Sequence, residues 1–376
     1  MKILHLASFV GNIGDNASHI GLARILTQVL GDYQIEQLEI RRFYQSYRLA
    51  DKARFDRSFI AMANQYDLLL IGGGGFLDYW VDPSQTGTTI DIAPALLAEL
   101  TVPTLISSVG CAPHKAVPPG NIAKFRYFLD AILAQKNIRL AVRNDGSVTA
   151  ISRDIGAHYL QHIAEILDHG FFYQSDTLPL LPVTNYVAIN ITQDQLGMLR
   201  ANGQVIDTSI YYHEMARVID FLCLQSNRKV VLVPHIPSDL VAINTLVSKL
   251  DDNLVRRYVS VAPLLQGDAG AKVNFSVYAN SELVLASRLH ANICSLAMSK
   301  PTIGLVALDR VAYVYQQLGL EQFCVDLSGS FAAELIAKIE QSHNFAHDRL
   351  QQELVHRRES TLTFYRQALS DLGVLA

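Results

Sequence analysis

The amino-acid sequence predicts an α/β protein with two Rossmann-like domains that face each other across a central cleft. A chain of 376 residues exceeds the usual size of one hydrophobic core, so two domains are expected. Short apolar runs alternate with longer amphipathic stretches along almost the whole chain, which is typical of βα units around parallel sheets buried on both faces. The alternation stops near residues 174–184, where prolines and polar residues indicate a domain boundary.

Nine apolar runs indicate strands, four in the first half of the chain and five in the second. From about Phe331 helical periodicity continues to the C-terminus, and this last part either packs back on the N-terminal domain or forms a solvated cap. We therefore predict an N-terminal domain over 1–178, a C-terminal domain over 179–340 and a helical segment over 341–376. The strand candidates are 3–10, 66–73, 103–110, 138–144, 185–192, 229–236, 258–265, 283–287 and 301–307.

The composition argues against several classes of function. Lysine and arginine total 31 against 35 acidic residues, and a net charge of −4 provides no basic field that would favour nucleic acid. The sequence has no HExxH pattern, no carboxylates at ligand spacing and no G-x-S-x-G elbow, so neither a metal site nor serine hydrolase chemistry is expected. Four widely spaced cysteines and the lack of a membrane-spanning apolar run predict a cytoplasmic protein, with peripheral membrane association left open.

The turn after the first strand, GNIGD at 11–15, carries polar side chains that suit a hydroxyl-rich ligand. Its glycines permit a tight turn, and its acidic residue would repel a phosphate. We therefore predict that Asn12, Asp15 and Asn16 contact a hydroxyl-rich acceptor. For Asp15 the alternative is a helix cap without a ligand.

The turn after the second strand candidate is GGGGFLD at 72–78. The backbone N–H groups of Gly73 and Gly74 are predicted to bind an anion, the alternative being a close crossing of strand and helix. Asp78 is predicted to contact the acceptor, and so is His114 in the loop after the third strand candidate. For His114 a mobile surface loop is the alternative.

Two arginines lie at predicted strand ends, where ligands bind in open α/β sheets. Arg143 is positioned to form two hydrogen bonds with a carboxylate or phosphate of a ligand. An ion pair with Asp145 or another acid of the chain is an equal alternative. Arg288 and His290 interrupt an apolar stretch at a strand–helix junction that begins with Ser287. All three residues are predicted to contact an anion beside the free N–H groups of the first helical turn.

Five motifs resemble those of the polysaccharide pyruvyltransferases, and SRLHA is the most specific of them. The resemblance implies a GT-B-like fold and transfer of pyruvate from phosphoenolpyruvate, as co-substrate, to a glycan or lipid-linked sugar acceptor. The product would be a pyruvate ketal on a cell-surface or exopolysaccharide glycan or its precursor, and no cofactor is implied. The motifs are GNIGD at 11–15, GGGGFLD at 72–78, R-x-x-x-S at 143–147, LD at 167–168 and SRLHA at 287–291.

The resemblance also implies roles for single residues. Arg288, His290 and Arg143 match donor positions of the family. Asn144 stands where relatives often have an acid, and Arg310, a further predicted donor contact, stands where many have lysine. His290 is the predicted general acid, with phosphate binding as its alternative role. The candidates for the base that activates the acceptor hydroxyl are Asp15, Asp78 and His114.

Two other functions fit the same residues. A glycosyltransferase of the same architecture would place Arg288 and His290 on the diphosphate of a nucleotide sugar. A non-catalytic carbohydrate-binding or anion-binding protein would bind its ligand without turnover. The identity of the acceptor sugar and the oligomeric state do not follow from the sequence.

Overall fold

The computed structural model describes residues 1–175, 184–198, 200 and 203–375. The chain forms two compact units. The first unit contains Met1–Phe9, Leu22–His169 and His356–Ala376, and the second contains Val10–Gly21 and Gly170–Val355. Compared with the domains expected from the sequence, residues 10–21 fall in the second unit and the residues from 356 onward fall in the first. The predicted boundary at residue 178 lies outside the described residues.

The first unit is built on a six-stranded parallel sheet. Its strands are β1 (Lys2–Ala7), β2 (Gln34–Glu39), β3 (Leu68–Gly72), β4 (Thr104–Val109), β5 (Ile138–Arg143) and β6 (Ala164–Ile166). Their order across the sheet is β2-β1-β3-β4-β5-β6. Each neighbouring pair is parallel, and the register shifts once, between β4 and β5.

The second unit contains another six-stranded parallel sheet. Its strands are β7 (Tyr186–Asn190), β8 (Lys229–Leu232), β9 (Val259–Val261), β10 (Leu283–Ala286), β11 (Thr302–Val306) and β12 (Cys324–Asp326). Their order is β12-β11-β10-β7-β8-β9. β10 therefore lies between β7 and β11.

Helices follow most strands, as the βα pattern predicts. β3 and β7 are buried at every residue, which is expected for central strands of parallel sheets that are covered on both faces. The helices are α1 (Ile13–Leu30), α2 (Arg57–Ala63), α3 (Pro94–Leu97), α4 (Asn121–Leu133), α5 (Ser147–Ala150), α6 (Thr208–Asp220), α7 (Pro237–Val247), α8 (Asp252–Tyr258), α9 (Gly267–Asn280), α10 (Leu289–Ala297), α11 (Asp309–Gln317), α12 (Ala332–Glu340) and α13 (His347–Asp371).

The two parallel sheets confirm the predicted fold class of two Rossmann-like domains. Because every strand of a sheet runs the same way, the loops that follow the strands lie at one edge of that sheet, where ligands of such folds bind. Among the described residues, no helix has both the length and the apolar character to cross a bilayer. The same residues contain no group of three or more His, Cys, Asp or Glu that could hold a metal ion.

Candidate functional site

The junction between β10 and α10 is held in place by the end of the neighbouring strand β7. Asn190 accepts the Ser287 N–H at its backbone oxygen (3.1 Å) and the Arg288 N–H at its side-chain oxygen (2.9 Å). Arg288 thereby takes an extended backbone at the cap position of α10, and the helix begins at the next residue. Both residues are buried. The sequence motif SRLHA therefore forms a fixed strand–helix turn at the carboxyl edge of the second sheet.

Arg288 is bound by two carboxylates from neighbouring loops. Its Nε and Nη2 donate to the two oxygens of Asp239 at 2.8 and 2.5 Å, and Nη2 also donates to Asp194 at 2.7 Å. Asp239 is fully buried and also accepts the backbone N–H of His235. Among the described residues, none accepts a hydrogen bond from Nη1. Nε and Nη2 are thus held by carboxylates, whereas Nη1 retains its hydrogen-bonding capacity.

The ion pair between Arg288 and Asp194 shifts the pKa values of both groups. Burial alone would lower the pKa of Arg288, but Asp239 and Asp194 together raise it above its ordinary value. Burial acts to raise the pKa of Asp194, yet the charge of Arg288 brings it below its ordinary value. Arg288 and Asp194 are therefore charged at neutral pH.

His290 lies in the first turn of α10, against the GNIGD turn. Its Nδ1 is 3.5 Å from an oxygen of Asp15, which also accepts a hydrogen bond from the side-chain amide of Asn12 (3.0 Å). A Cβ atom on Gly14 would lie 2.9 Å from the Cβ of His290, so only glycine permits this approach. The carboxylate and the imidazole thus form a pair within the second unit.

The GNIGD turn is fixed to the second unit by three further contacts. The Gly11 N–H donates to the side chain of Gln266 (3.0 Å), and the Asn16 amide donates to Asp268 (2.9 Å). The Ile13 N–H donates to a backbone oxygen at the end of the loop after β8. Asn12, Asp15 and Asn16 were predicted on the acceptor side of the N-terminal domain. They belong to the same unit as Arg288 and His290.

His235, another histidine at a strand end, is buried completely and hydrogen-bonds the hydroxyl of Tyr278 through Nε2 (2.8 Å). Burial, together with the charges of Arg288 and His290, holds the pKa of His235 well below its ordinary value. This histidine is therefore neutral. Arg310 lies in the first turn of α11, which follows the strand next to β10.

Arg143 of the first unit is buried between two carboxylates. At the end of β5 its Nε donates to Asp145 (2.7 Å) and its Nη1 to Asp168 (3.2 Å). Ser147 donates to Asp145 and accepts the N–H of Cys111, which fixes the carboxylate. Burial alone would lower the pKa of Arg143, but the two acids raise it above its ordinary value. The ion pair with Asp145, an open alternative in the sequence, is present in the structure.

The glycine-rich turn after β3 packs closely against neighbouring backbone and side chains. Gly73 has a positive φ of 83°, and the Gly74 oxygen accepts the Gly110 N–H (2.8 Å). A Cβ atom on Gly75 would lie 2.9 Å from a carboxylate oxygen of Asp78. Close packing therefore explains glycine at these positions, and anion binding by Gly73 and Gly74 stays a prediction.

Asp78 and His114 lie next to each other in the first unit. Asp78 is buried and accepts the N–H of Ala112 (2.8 Å), while its other oxygen is 3.3 Å from Nδ1 of the partly exposed His114. Lys115 lies over the ring of Trp80, with 3.9 Å from its Nζ to the ring centroid. These side chains combine a carboxylate, an imidazole and an aromatic face, which are groups that bind sugars.

Replacing Arg143 with alanine is expected to destabilise the protein by about 3–5 kcal/mol, because Asp145 and Asp168 would remain buried without their counter-charge. Thermal unfolding followed by circular dichroism measures the loss. Arg139→Ala on the same strand is the control. Arg139 is partly exposed, and its Nε lies 3.6 Å from a carboxylate oxygen of Asp371, so it forms an ion pair near the surface. This substitution is expected to cost at most about 1 kcal/mol. Equal stability of Arg143→Ala and wild type would contradict this interpretation.

Several solved structures share the fold of this chain. The UDP-GlcNAc 2-epimerase from Methanocaldococcus jannaschii aligns with a TM-score of 0.53 and 12% identity, over 90% of this chain and 92% of that chain. The UDP-GlcNAc 2-epimerase from Neisseria meningitidis aligns with a TM-score of 0.53 and 10% identity, over 98% of this chain and 99% of that chain. A glycosyltransferase from Rickettsia africae aligns with a TM-score of 0.54 and 10% identity, over 98% of both chains. At such identities the likeness concerns the fold alone, and it agrees with the predicted GT-B-like architecture.

The sequence comparison is more specific than the structural one. No curated protein sequence matches the chain. A family model described as polysaccharide pyruvyl transferase, in contrast, matches residues 12–307. The match begins in the GNIGD turn and ends just after β11, so it includes the Asp15–His290 pair and Arg288 with both of its carboxylate partners. The chain therefore belongs to the polysaccharide pyruvyl transferase family.

Proposed function

We propose that the protein transfers pyruvate from phosphoenolpyruvate to hydroxyl groups of a glycan or lipid-linked sugar, and that Arg288 and His290 bind the donor. The observation that carries the proposal is the arrangement at the start of α10. There the Nε and Nη2 atoms of Arg288 are bound by carboxylates while Nη1 remains to bind a ligand, and His290 lies in the first turn of the helix beside Asp15. Phosphoenolpyruvate has a carboxylate and a phosphate on a small frame, and an arginine edge suits either group.

Arg288 does not suffice to hold such an anion, because Asp239 and Asp194 offset its charge. Further attraction is available from the N–H groups of the first turn of α10, which have no partners inside the helix. His290 adds a positive charge when it is protonated. We expect Arg310 to add a contact from the neighbouring strand end.

The reaction begins with proton transfer from His290 to the methylene carbon of phosphoenolpyruvate. C2 then gains cationic character, and an acceptor hydroxyl adds to it while its proton passes to a base. The C2–O bond to phosphate breaks, inorganic phosphate leaves, and a second acceptor hydroxyl adds to C2 and loses its proton. The products are the pyruvate ketal and phosphate, without a change of oxidation state.

Within this scheme Asp15 acts on His290. An oxygen of Asp15 lies 3.5 Å from Nδ1 of His290 and favours a proton on that nitrogen. Nε2 is then the nitrogen that transfers a proton to the substrate, as in other carboxylate–histidine pairs. Asp15 was also a candidate for the base that activates the acceptor. Because its neighbours are His290 and Asn12, we propose the orienting role, and Asp78 and His114 stay as the proposed acceptor contacts.

Asp15→Asn is expected to lower kcat about 10-fold or more, while the Kd for phosphoenolpyruvate changes less than about 3-fold, because only proton transfer is impaired. Calorimetry measures Kd, and phosphate release measures kcat. Asp268→Asn is the matched control: Asp268 binds Asn16 of the same turn and makes no contact with His290 among the described residues. If both variants lose activity equally, Asp15 supports only the turn.

The proposed function is tested by incubating the protein with phosphoenolpyruvate and a panel of glycan and lipid-linked sugar acceptors. Phosphate release, together with an acceptor mass increased by one pyruvate ketal, would support it. UDP-sugars and GDP-sugars serve as alternative donors in parallel reactions. Glycosyl transfer from any of them, with no use of phosphoenolpyruvate, would instead make this chain a glycosyltransferase.

A further inference from the structure

A basic loop, residues 41–57, follows β2 in the first unit and is closed at its base. The Ala53 N–H donates to the backbone oxygen of Arg42 (2.9 Å), and Nε of Arg42 donates to the backbone oxygen of Asp51 (2.7 Å). Below this closure the rings of Phe43 and Phe55 stack, with centroids 4.2 Å apart. The segment is thus a compact loop with near ends, a form that often carries function.

The basic loop has six basic residues and two acidic ones in a chain whose net charge is −4. Each of the two acids has a partner other than Arg48, Lys52 and Arg54. Asp56 caps α2 by accepting two of its N–H groups, and Asp51 lies beside Arg42. The cations are Arg41, Arg42, Arg48, Lys52, Arg54 and Arg57.

Two of these cations converge at the tip of the loop. Arg48 and Lys52 both donate to the backbone oxygen of Gln45, at 2.8 and 3.1 Å, so their charged groups lie side by side. Among the described residues, no carboxylate pairs with either group. Two adjacent like charges repel each other, and an anion placed between them would relieve this repulsion. Leu49, which lies between them in sequence, is 66% exposed.

We propose that the basic loop docks the protein on an anionic bilayer surface, with Arg48, Lys52 and Arg54 at lipid phosphates and Leu49 among the acyl chains. Arg54 is exposed as well. Basic clusters are attracted to anionic lipid, and an apolar side chain beside them adds burial at the interface. A free phosphate would explain the paired cations but would leave the exposed leucine without a function, so the bilayer fits both features.

The position of the loop suits an acceptor carried by a lipid. It follows β2, so it lies at the same edge of the parallel sheet as the loops after β3 and β4, which carry Asp78 and His114. A bilayer at this edge would therefore hold a lipid-linked sugar near these two residues. This consequence rests on the proposed function, whereas membrane docking itself does not.

The test is co-sedimentation of the full chain with phosphatidylcholine vesicles that contain or lack phosphatidylglycerol. Wild type is expected to bind the anionic vesicles, and to bind them less as salt rises. Binding should fall about 10-fold or more in the variant Arg48→Glu, Lys52→Glu, Arg54→Glu. The matched control is Lys249→Glu, Arg256→Glu, Arg257→Glu, an equal charge change on exposed residues of the second unit, which should retain binding.

Leu49→Ser keeps every charge and is expected to weaken vesicle binding without changing the thermal midpoint. No preference of wild type for anionic vesicles would overturn the proposal. So would equal losses in the two charge-reversal variants, since these would reflect net charge alone. Inorganic phosphate that releases the protein more effectively than chloride at equal ionic strength would show a phosphate site in place of a bilayer surface. These outcomes do not depend on pyruvyl transfer.

Discussion

Replacing His290 with glutamine is expected to lower the rate of phosphate release from phosphoenolpyruvate about 10²–10⁴-fold, the usual contribution of a general acid. Glutamine keeps a polar group of similar size but cannot deliver a proton. Phosphoenolpyruvate should still bind, because Arg288 and the start of α10 remain. The rate is measured with an acceptor from the panel, and binding by calorimetry.

His213→Gln is the control for this variant, since His213 is an exposed histidine of α6 in the same unit. It should leave the rate unchanged. If His290→Gln abolished donor binding and left the rate at saturating donor near that of wild type, His290 would be a phosphate ligand and another group would protonate the donor.

Replacing Arg288 with alanine is expected to cost about 3–5 kcal/mol of stability, because Asp239 would be left fully buried without its ion-pair partner. The loss should appear as a lower thermal midpoint. Loss of donor binding by this variant would therefore be ambiguous. Arg288→Lys keeps the charge but cannot form the fork to Asp239, so it should weaken donor binding at a smaller loss of stability.

Arg256→Ala provides the stability control, since Arg256 forms an exposed pair with Asp252 along α8. This pair should contribute at most about 1 kcal/mol. A midpoint of Arg288→Ala equal to that of wild type would mean that Asp239 does not depend on the arginine, and the description of the site would be wrong.

Among the described residues the sequence pattern predicted every central strand but only β9 of the four edge strands. Each of the nine predicted apolar runs overlaps an observed strand. The three strands that the pattern did not predict, β2, β6 and β12, all lie at sheet edges. β2 reads QIEQLE and is mostly exposed, and the other two are three residues long. An edge strand has one neighbouring strand and less cover, so its residues need not be apolar.

The candidate site was predictable where it depends on local sequence. Arg143, Arg288 and His290 lie at the strand ends where the motifs placed them. The partners of Arg288 were not predictable, because Asp239 and Asp194 are 49 and 94 residues away along the chain. Ion pairs between loops of different strands produce no periodic signal. Chain order likewise placed the GNIGD turn in the first domain, whereas its hydrogen bonds hold it in the second unit.

The most direct test of the central claim is calorimetric titration of wild type and Arg288→Lys with phosphoenolpyruvate, and separately with UDP and GDP. The proposed function predicts that wild type binds phosphoenolpyruvate, that the variant binds it more weakly, and that neither nucleotide binds. Binding of UDP or GDP by a wild-type protein that does not bind phosphoenolpyruvate would contradict the assignment of the α10 site to this donor.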